Sequence, residues 1–208
     1  GHSTVCDSVL GEVIINDEVQ QFFSPHSNRR EDQWGGSLEN RYRFIDELLT
    51  TVFSTVEKYA KKPFIVGYRF SPEEYETPGI RFEDTIWLLE RLRETKLDYL
   101  HVSLNAYDRR ARSDKYSDQS ILEAVHDTIQ GKIPLIGVGG IRTRKDVEQV
   151  LKYAELAAIG QQMIVDPDWA EKLLENREDE FVTKPFEEAY KELYLPSPLY
   201  NFLKARYQ

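Results

Sequence analysis

The sequence has one cysteine, one methionine and no long apolar run, and each scarcity narrows the possibilities. Cys6 cannot form a disulfide within the chain, which is compatible with a reducing compartment and favours a cytoplasmic location. No stretch reaches the roughly 18 consecutive apolar residues of a membrane-spanning helix, and nothing near the start resembles a signal peptide. The histidines are scattered and the cysteine has no partner, so no metal-ligand spacing is present.

Positive charge is also scarce. The chain has 27 basic against 36 acidic residues, which gives a formal net charge of −9 at pH 7. Nucleic acid or an anionic membrane would be repelled over most of such a surface, so neither is predicted as the main partner. With 208 residues, 40% of them hydrophobic and 30% charged, the composition predicts one globular domain spanning residues 1–208.

Short apolar runs alternate with helical patterns along the chain. Apolar residues spaced three and four apart predict a long helix from Leu38 to Tyr59, capped by Ser37, and shorter helices around Leu88, Leu122 and Val147. The apolar runs predict four buried strands, with a fifth inside the run VLGEVII; the four lie at 63–70, 97–104, 133–138 and 156–159.

This alternation predicts parallel strands joined by crossover helices. A complete eight-stranded (β/α) barrel typically needs about 250 residues. The four to five βα units therefore predict an α/β fold of the TIM-barrel type, of which this chain holds about half.

Glycines stand at the ends of two predicted strands. Gly139 and Gly140 follow the strand at 133–138, and Gly160 follows the strand at 156–159. Glycine lets backbone N–H groups approach an anion closely, and barrels often bind phosphate after their last two strands. The alternative is that these glycines only make tight turns between a strand and a helix.

Two strand residues and one loop are further candidates for a functional role. Arg69 lies near the end of an apolar strand, where it needs an anionic partner, and a salt bridge with Glu73 or Glu74 would satisfy it equally well. His101 alternates with apolar neighbours, a position more often held by a packed histidine than by a catalyst. The loop at 105–117 contains three arginines and either closes over a substrate or nicotinamide phosphate, or is a solvated connection.

The segment from Gln20 to Phe44, QQFFSPHSNRREDQWGGSLENRYRF, closely resembles the signature that follows the fourth strand of Old Yellow Enzyme family barrels. The segments YRFSPEE, DYLHVS, GVGGI and IGQQMIVDPDW follow in the family's order. The resemblance implies the C-terminal half of a TIM barrel that binds FMN, with NADH or NADPH as reductant and a small molecule as substrate.

The resemblance also implies roles for individual residues. Arg69 matches the arginine that reaches the pyrimidine edge of the flavin and stabilises negative charge on the reduced ring. Gly139 and Gly140 match the loop around the FMN phosphate after the seventh strand, and Gly160 matches the glycine after the eighth. The family usually has arginine at the position of Gln161, and a glutamine can donate a hydrogen bond to phosphate but brings no charge.

The sequence departs from the family near its start. Counting back from Gln20 puts the family's substrate-activating pair around Glu12 and Ile15, and its tyrosine proton donor around Asp17, and none of the three matches. Residues 1–19 are atypical, and the first three βα units of the barrel are absent from the sequence.

Two functions of different classes follow. The first is an FMN-dependent oxidoreductase that passes hydride from NAD(P)H through flavin to an activated alkene or similar acceptor, with this chain alone incomplete for catalysis. The second is a non-catalytic half-barrel that self-associates, because open strand edges and an uncovered apolar face favour closure. The expected partner is accordingly a second copy of the chain or the N-terminal half of the barrel.

Overall fold

The computed structural model describes residues 11–15, 17–183, 188 and 196–204. Its strands are β1 (Gly11–Ile15), β2 (Phe64–Phe70), β3 (Tyr99–Val102), β4 (Leu135–Val138) and β5 (Leu156–Ala158). Its α-helices are α1 (Asp17–Phe23), α2 (Leu38–Tyr59), α3 (Phe82–Leu92), α4 (Ile121–Ile129), α5 (Arg144–Val150), α6 (Gln161–Val165), α7 (Trp169–Leu174) and α8 (Ser197–Lys204). Short 3-10 helices lie at Asp114–Tyr116 and Glu178–Glu180.

The five strands form one parallel sheet in the order β1-β2-β3-β4-β5. This confirms the predicted parallel α/β sheet, including the fifth strand inside the run VLGEVII. Of the atypical segment 1–19, residues 1–10, which include Cys6, and residue 16 lie outside the described residues.

The chain divides into two compact units. The first comprises the described parts of 1–139 and 149–158, and it contains the whole sheet and α1 to α4. The second comprises 140–148 and the described residues after 158, with α6 to α8. In the second unit the indole N–H of Trp169 donates to the carbonyl of Arg142 over 2.9 Å, and buried Asp166 accepts a hydrogen bond from Lys172 over 2.7 Å.

The two faces of the sheet differ in burial. On one face Val66, Tyr68 and Phe70 of β2 are buried, as are their neighbours Leu100 and Val102 of β3. We call the other face the Arg69 face; its residues alternate with the buried set and most are half-buried, and they include Gly67, Arg69, Tyr99, His101, Ile136 and Val138. Side chains alternate between the two faces along a strand, and residues that are register partners on neighbouring parallel strands lie on the same face.

Local sequence explains where the main helices begin. Ser37 caps α2 as predicted, because its hydroxyl accepts a hydrogen bond from the backbone N–H of Asn40 over 3.2 Å. Ser120 caps α4 in the same way through the N–H of Glu123. α3 packs against α4, and both begin after long loops that leave the carboxyl ends of β2 and β3.

Candidate functional site

Arg69 lies one residue before the end of β2, on the half-buried face of the sheet. Its guanidinium donates from Nη2 to the hydroxyl of Ser103, just beyond the end of β3, over 2.8 Å. The acids expected to compete for it have other partners: Glu73 pairs with Arg109, and Glu74 accepts hydrogen bonds from Ser24. The contacts of these two acids thus do not support the salt bridge that was the alternative for Arg69.

His101 stands beside Arg69, because the two residues are register partners on β3 and β2. Its Nε2 is buried and has no hydrogen-bond partner among the described residues. Burial, and to a smaller extent the positive charge of Arg69, lower the pKa of His101 to about 4. The imidazole is therefore neutral at neutral pH, and the Arg69 face offers one cation and one neutral ring side by side.

Gly139 follows β4 with a φ of +122°, which is rare for residues with a side chain. A Cβ at this position would lie 2.8 Å from the carbonyl oxygen of Leu104 and 2.8 Å from the backbone N of Ala106. The carbonyl of Gly139 also accepts from the N–H of Tyr107 over 3.0 Å. The close approach to the loop after β3 thus explains this glycine, and Gly140 has a positive φ of 64° as well.

Gly160 and Gln161 belong to the second unit. Gly160 precedes α6 with a φ of −110°, which any residue adopts, and a Cβ there would meet nothing within 4 Å. Neither backbone conformation nor packing within the described residues therefore explains Gly160. Gln161 is the first residue of the five-residue helix α6.

The loop at 105–117 is held by contacts with residues of the loop after β2. The side chain of Glu73, with 4% of its surface exposed, accepts from Arg109 Nη2 over 2.6 Å and from the backbone N–H of Arg112 over 3.1 Å. The guanidinium of Arg112 lies 3.7 Å from the ring centre of Tyr75. Arg110 donates to the carbonyl of Ser117. The three arginines are thus engaged within the loop pair, which weakens the idea that they bind a phosphate.

A cavity of about 340 Å³ lies between the loops that follow β2 and β3. The polar groups around it bind one another: Arg81 donates to the carbonyls of Glu74 and Glu76, and Ser113 donates to Glu83. Because these lining groups are satisfied by one another, the cavity is interpreted as a gap between packed loops and not as a ligand site.

Hydrogen bonds between its own residues hold the signature segment in place. Asn28 is buried and donates from Nδ2 to the carbonyls of both Phe22 and Trp34 over 2.7 Å. Gly35 leaves no room for a side chain, because a Cβ would lie 2.3 Å from the carbonyl oxygen of Arg30. Arg41 is buried and donates to the carbonyl of Phe23 over 3.0 Å. The most specific part of the sequence thus has a structural role in this unit.

The same segment is bound to the loop after β2 through Glu74. That carboxylate accepts from Ser24 Oγ over 2.5 Å, from Gln20 Nε2 over 3.1 Å and from the N–H of Ile80 over 3.0 Å. Sequence reasoning missed Ser103, this role of Glu74 and the role of Glu73, because no local pattern reveals a contact across 34 to 54 residues. Strand register was the available signal for Ser103.

Two kinds of site are absent from the part of the chain that the structure describes. No group of three or more histidine, cysteine, aspartate or glutamate side chains is arranged to hold a metal ion there. None of the described helices has the length and apolar character needed to cross a membrane.

Two solved structures share the fold. Histamine dehydrogenase from Rhizobium sp. 4-9 matches 86% of this chain and 26% of its own, with a TM-score of 0.66 and 18% identity. Morphinone reductase in complex with tetrahydroNAD matches 82% of this chain and 44% of its own, with a TM-score of 0.58 and 23% identity. Both are TIM-barrel flavoenzymes.

Two longer proteins are similar to this chain in sequence. The NADH:acrylate oxidoreductase of Vibrio harveyi is 40% identical over 190 residues, which are 89% of this chain. The NADH:fumarate oxidoreductase of Klebsiella pneumoniae is 41% identical over 189 residues, or 88% of this chain. The chain spans only 19% and 20% of the lengths of these relatives. Residues 19–180 match the model of the NADH:flavin oxidoreductase / NADH oxidase family, and the chain belongs to that family.

Proposed function

We propose that this chain provides part of the FMN site of an NADH-dependent oxidoreductase. The flavin, when bound, supplies the redox chemistry by taking hydride from the nicotinamide and passing it to an acceptor. The residues proposed to hold it are Arg69 at the polar edge of the ring, and Gly139, Gly140, Gly160 and Gln161 at the phosphate. NADH is the proposed reductant because it is the one in the family's name.

The single observation that carries this proposal is the pair formed by Arg69 and His101. The Arg69 face presents a guanidinium next to a neutral imidazole whose Nε2 is buried without a partner among the described residues. A buried polar atom without a partner costs about 1–3 kcal/mol, so its retention favours a polar ligand. A flavin ring fits this chemistry, because its pyrimidine edge has both hydrogen-bond acceptors and a donor, and it becomes more negative on reduction.

The glycines fit a phosphate site to different degrees. A Cβ at Gly160 would have no atom within 4 Å, so packing among the described residues does not require glycine there. A glycine without a packing role is expected where the backbone must approach a ligand closely. Gly139 already has a packing reason in its contact with Leu104. The support for a phosphate near Gly160 and Gln161 is accordingly stronger than the support near Gly139 and Gly140.

The proposed acceptor is an activated alkene or a similar electron-poor small molecule. The two relatives are named for acrylate and fumarate, which are both unsaturated carboxylates. About four fifths of each relative lies outside the matched segment. We propose the same class of substrate for the whole protein to which this chain belongs, and a cytoplasmic location for it.

We further propose that residues 1–208 form a single partial domain, the C-terminal half of an eight-stranded barrel. The sheet is parallel, its Arg69 face is only half-covered, and β1 and β5 each have a strand neighbour on one side among the described residues. Pairing with an N-terminal half would cover that face and both edges. Catalysis would then need both halves.

Titration of the full chain with FMN tests the main proposal, with flavin absorbance and fluorescence as the readouts. Saturable binding at micromolar concentrations or tighter is the expected result, and NADH oxidation by the loaded chain is then measured. A folded chain that binds no FMN would overturn the proposal and leave only common ancestry with flavoenzymes.

The second candidate is a non-catalytic half-barrel that self-associates. It is favoured by Leu156, which is 57% exposed on the Arg69 face of the edge strand β5. Sedimentation of the FMN-free chain distinguishes the two, since this candidate requires a mass that is a multiple of 24.4 kDa and no flavin binding. A monomer at micromolar concentration excludes it.

A further inference from the structure

His101 is a half-buried side chain beside Arg69 to which the proposed site assigns no contact of its own. It lies at the third position of β3, between its register partners Arg69 on β2 and Ile136 on β4. Its Nε2 has no hydrogen-bond partner among the described residues, although less than 1 Å² of the atom is accessible. The neighbour on β4 is apolar, so the available partners are limited to groups that approach the Arg69 face.

Packing alone does not explain a histidine here. The nearby side of the same face is apolar or aromatic: the ring of Tyr99 lies over Gly67, where a Cβ would be 2.1 Å from the ring. A leucine at position 101 would fill a similar volume without leaving a polar atom unsatisfied. Retention of the imidazole at this cost indicates that it contacts something polar in the working protein.

The charge state of the ring limits what that contact is. Burial and the neighbouring Arg69 both favour the neutral ring, and the neutral ring has one donor and one acceptor nitrogen. A phosphate or carboxylate would instead favour a charged histidine. The preferred partner is an uncharged group with both donor and acceptor atoms, which the pyrimidine edge of a flavin offers.

We propose that His101 is a further flavin-binding residue, with Nε2 forming a hydrogen bond to the polar edge of the ring beside Arg69. This inference rests on the proposed FMN site and adds a residue to it. His101 positions the ring and moves no proton in the oxidised state, because it stays neutral. A polypeptide group in the same place is the competing occupant.

The test compares three variants of the full chain. His101→Leu removes the hydrogen bond and the polar atom, and His101→Gln keeps a neutral donor and acceptor. His126→Gln is the matched control, because His126 is a half-buried histidine on α4 whose Nδ1 contacts the carbonyl of Tyr153 over 3.0 Å. FMN affinity is measured by fluorescence titration, stability without FMN by urea unfolding, and the imidazole signals by NMR.

His101→Leu is expected to weaken FMN binding about tenfold, the size of one hydrogen bond, while the chain without FMN becomes no less stable. His101→Gln should bind within about threefold of the parent chain, and His126→Gln should bind unchanged. FMN should shift the imidazole signals of His101 and leave those of His126 in place. Higher stability combined with weaker binding is a result that a purely structural histidine would not give.

Three results would overturn the inference. If the parent chain binds FMN and His101→Leu binds it equally well, His101 is not a flavin residue, although the proposed function survives. Should His101→Leu fail to fold, unshifted His101 signals on FMN addition to the parent chain decide against it, and a polypeptide partner is then the occupant. A folded parent chain that binds no FMN overturns both the inference and the proposed function.

Discussion

The carboxylate of Glu73 and the guanidinium of Arg109 form a 2.6 Å ion pair that joins the loop after β2 to the loop after β3. The acid is nearly buried, whereas 20% of the arginine side chain is exposed. The same carboxylate accepts from the backbone of Arg112, so one side chain fixes two points of the arginine-rich loop. Below this contact Arg69 and Ser103 join the same two strands. Two contacts, Glu73 with Arg109 and Arg69 with Ser103, therefore connect β2 and its loop to β3 and its loop at the carboxyl end of the sheet.

Glu73→Gln should loosen this loop. The amide keeps the shape of the acid but loses the charge that holds Arg109, and weakening a largely buried ion pair costs about 2 kcal/mol. We expect faster tryptic cleavage after the arginines at 109, 110 and 112, measured by mass spectrometry of timed digests. The control is Glu83→Gln, since Glu83 is exposed and contacts the same loop at Ser113. Equal cleavage rates for the two variants would show that Glu73 does not hold the loop.

Arg69→Ala should make a bound flavin harder to reduce. A cation near the pyrimidine edge stabilises the charge of the reduced ring, so its removal lowers the midpoint potential by about 30 mV or more, equivalent to ~1.4 kcal/mol for two electrons. Arg69→Lys should recover part of the potential. The control is Arg110→Ala, which removes one positive charge from a residue that donates to a loop carbonyl. An unchanged potential in Arg69→Ala would rule out the proposed role.

Sequence reasoning reached the sheet because its signal is local. The apolar runs that became β2 to β5 lie between turn residues and helical patterns, and β2, β3 and β4 are each buried on one face, whereas β5 has no buried residue. The short helix α1 was missed, because its seven residues, which run from Asp17 into the start of the signature segment, are too few to show a helical period. The division into two compact units was likewise not signalled, since no linker composition separates them.

The site was predicted less completely than the fold. Arg69 was identified by its position on an apolar strand, with a flavin as the partner that the resemblance implies and a salt bridge with Glu73 or Glu74 as the alternative. Their carboxylates instead bind groups that lie 36 and 50 residues away along the chain. Contacts of that separation depend on register and loop path, which a single sequence does not encode in any local pattern.

Gly139→Ala and Gly160→Ala should differ sharply in stability. At Gly139 a methyl group meets the backbone of Leu104 and Ala106 at 2.8 Å with φ at +122°, so we expect a loss of about 2 kcal/mol or more. At Gly160 the methyl group meets open space at an ordinary φ, so folding should change little. Urea unfolding measures both. If Gly160→Ala is fully stable yet binds FMN less tightly, the phosphate lies near it; unchanged binding would argue against that position.

Gln161→Arg should tighten FMN binding if the phosphate lies at the start of α6. A charge-assisted hydrogen bond is roughly twice as strong as a neutral one, so the gain is about tenfold in affinity. Gln161→Glu should have the opposite effect, because it places negative charge at the same position. Riboflavin, which lacks the phosphate, serves as the control ligand and should respond to neither substitution. Tighter binding of riboflavin as well would mean that position 161 contacts another part of the ligand.

Acidification should destabilise the chain through His101. The pKa of His101 is lowered from 6.5 to about 4 in the folded chain, first by burial and then by the positive charge of Arg69. Between those two values the unfolded chain binds the proton and the folded chain resists it, so the free energy of unfolding falls as the pH drops from about 6.5 towards 4. Solvent reaches part of the ring, which reduces the expected loss to about 1–2 kcal/mol.

The measurement is urea unfolding of the parent chain and of His101→Gln at several pH values in that window. Carboxylates titrate in both proteins, so the difference between the two curves isolates the histidine. His101→Gln should lose less stability than the parent chain as the pH falls. Parallel curves for the parent chain and His101→Gln would mean that the folded chain accepts a proton on His101 as readily as the unfolded one, and the ring would then be too solvated to serve as a neutral partner for a flavin.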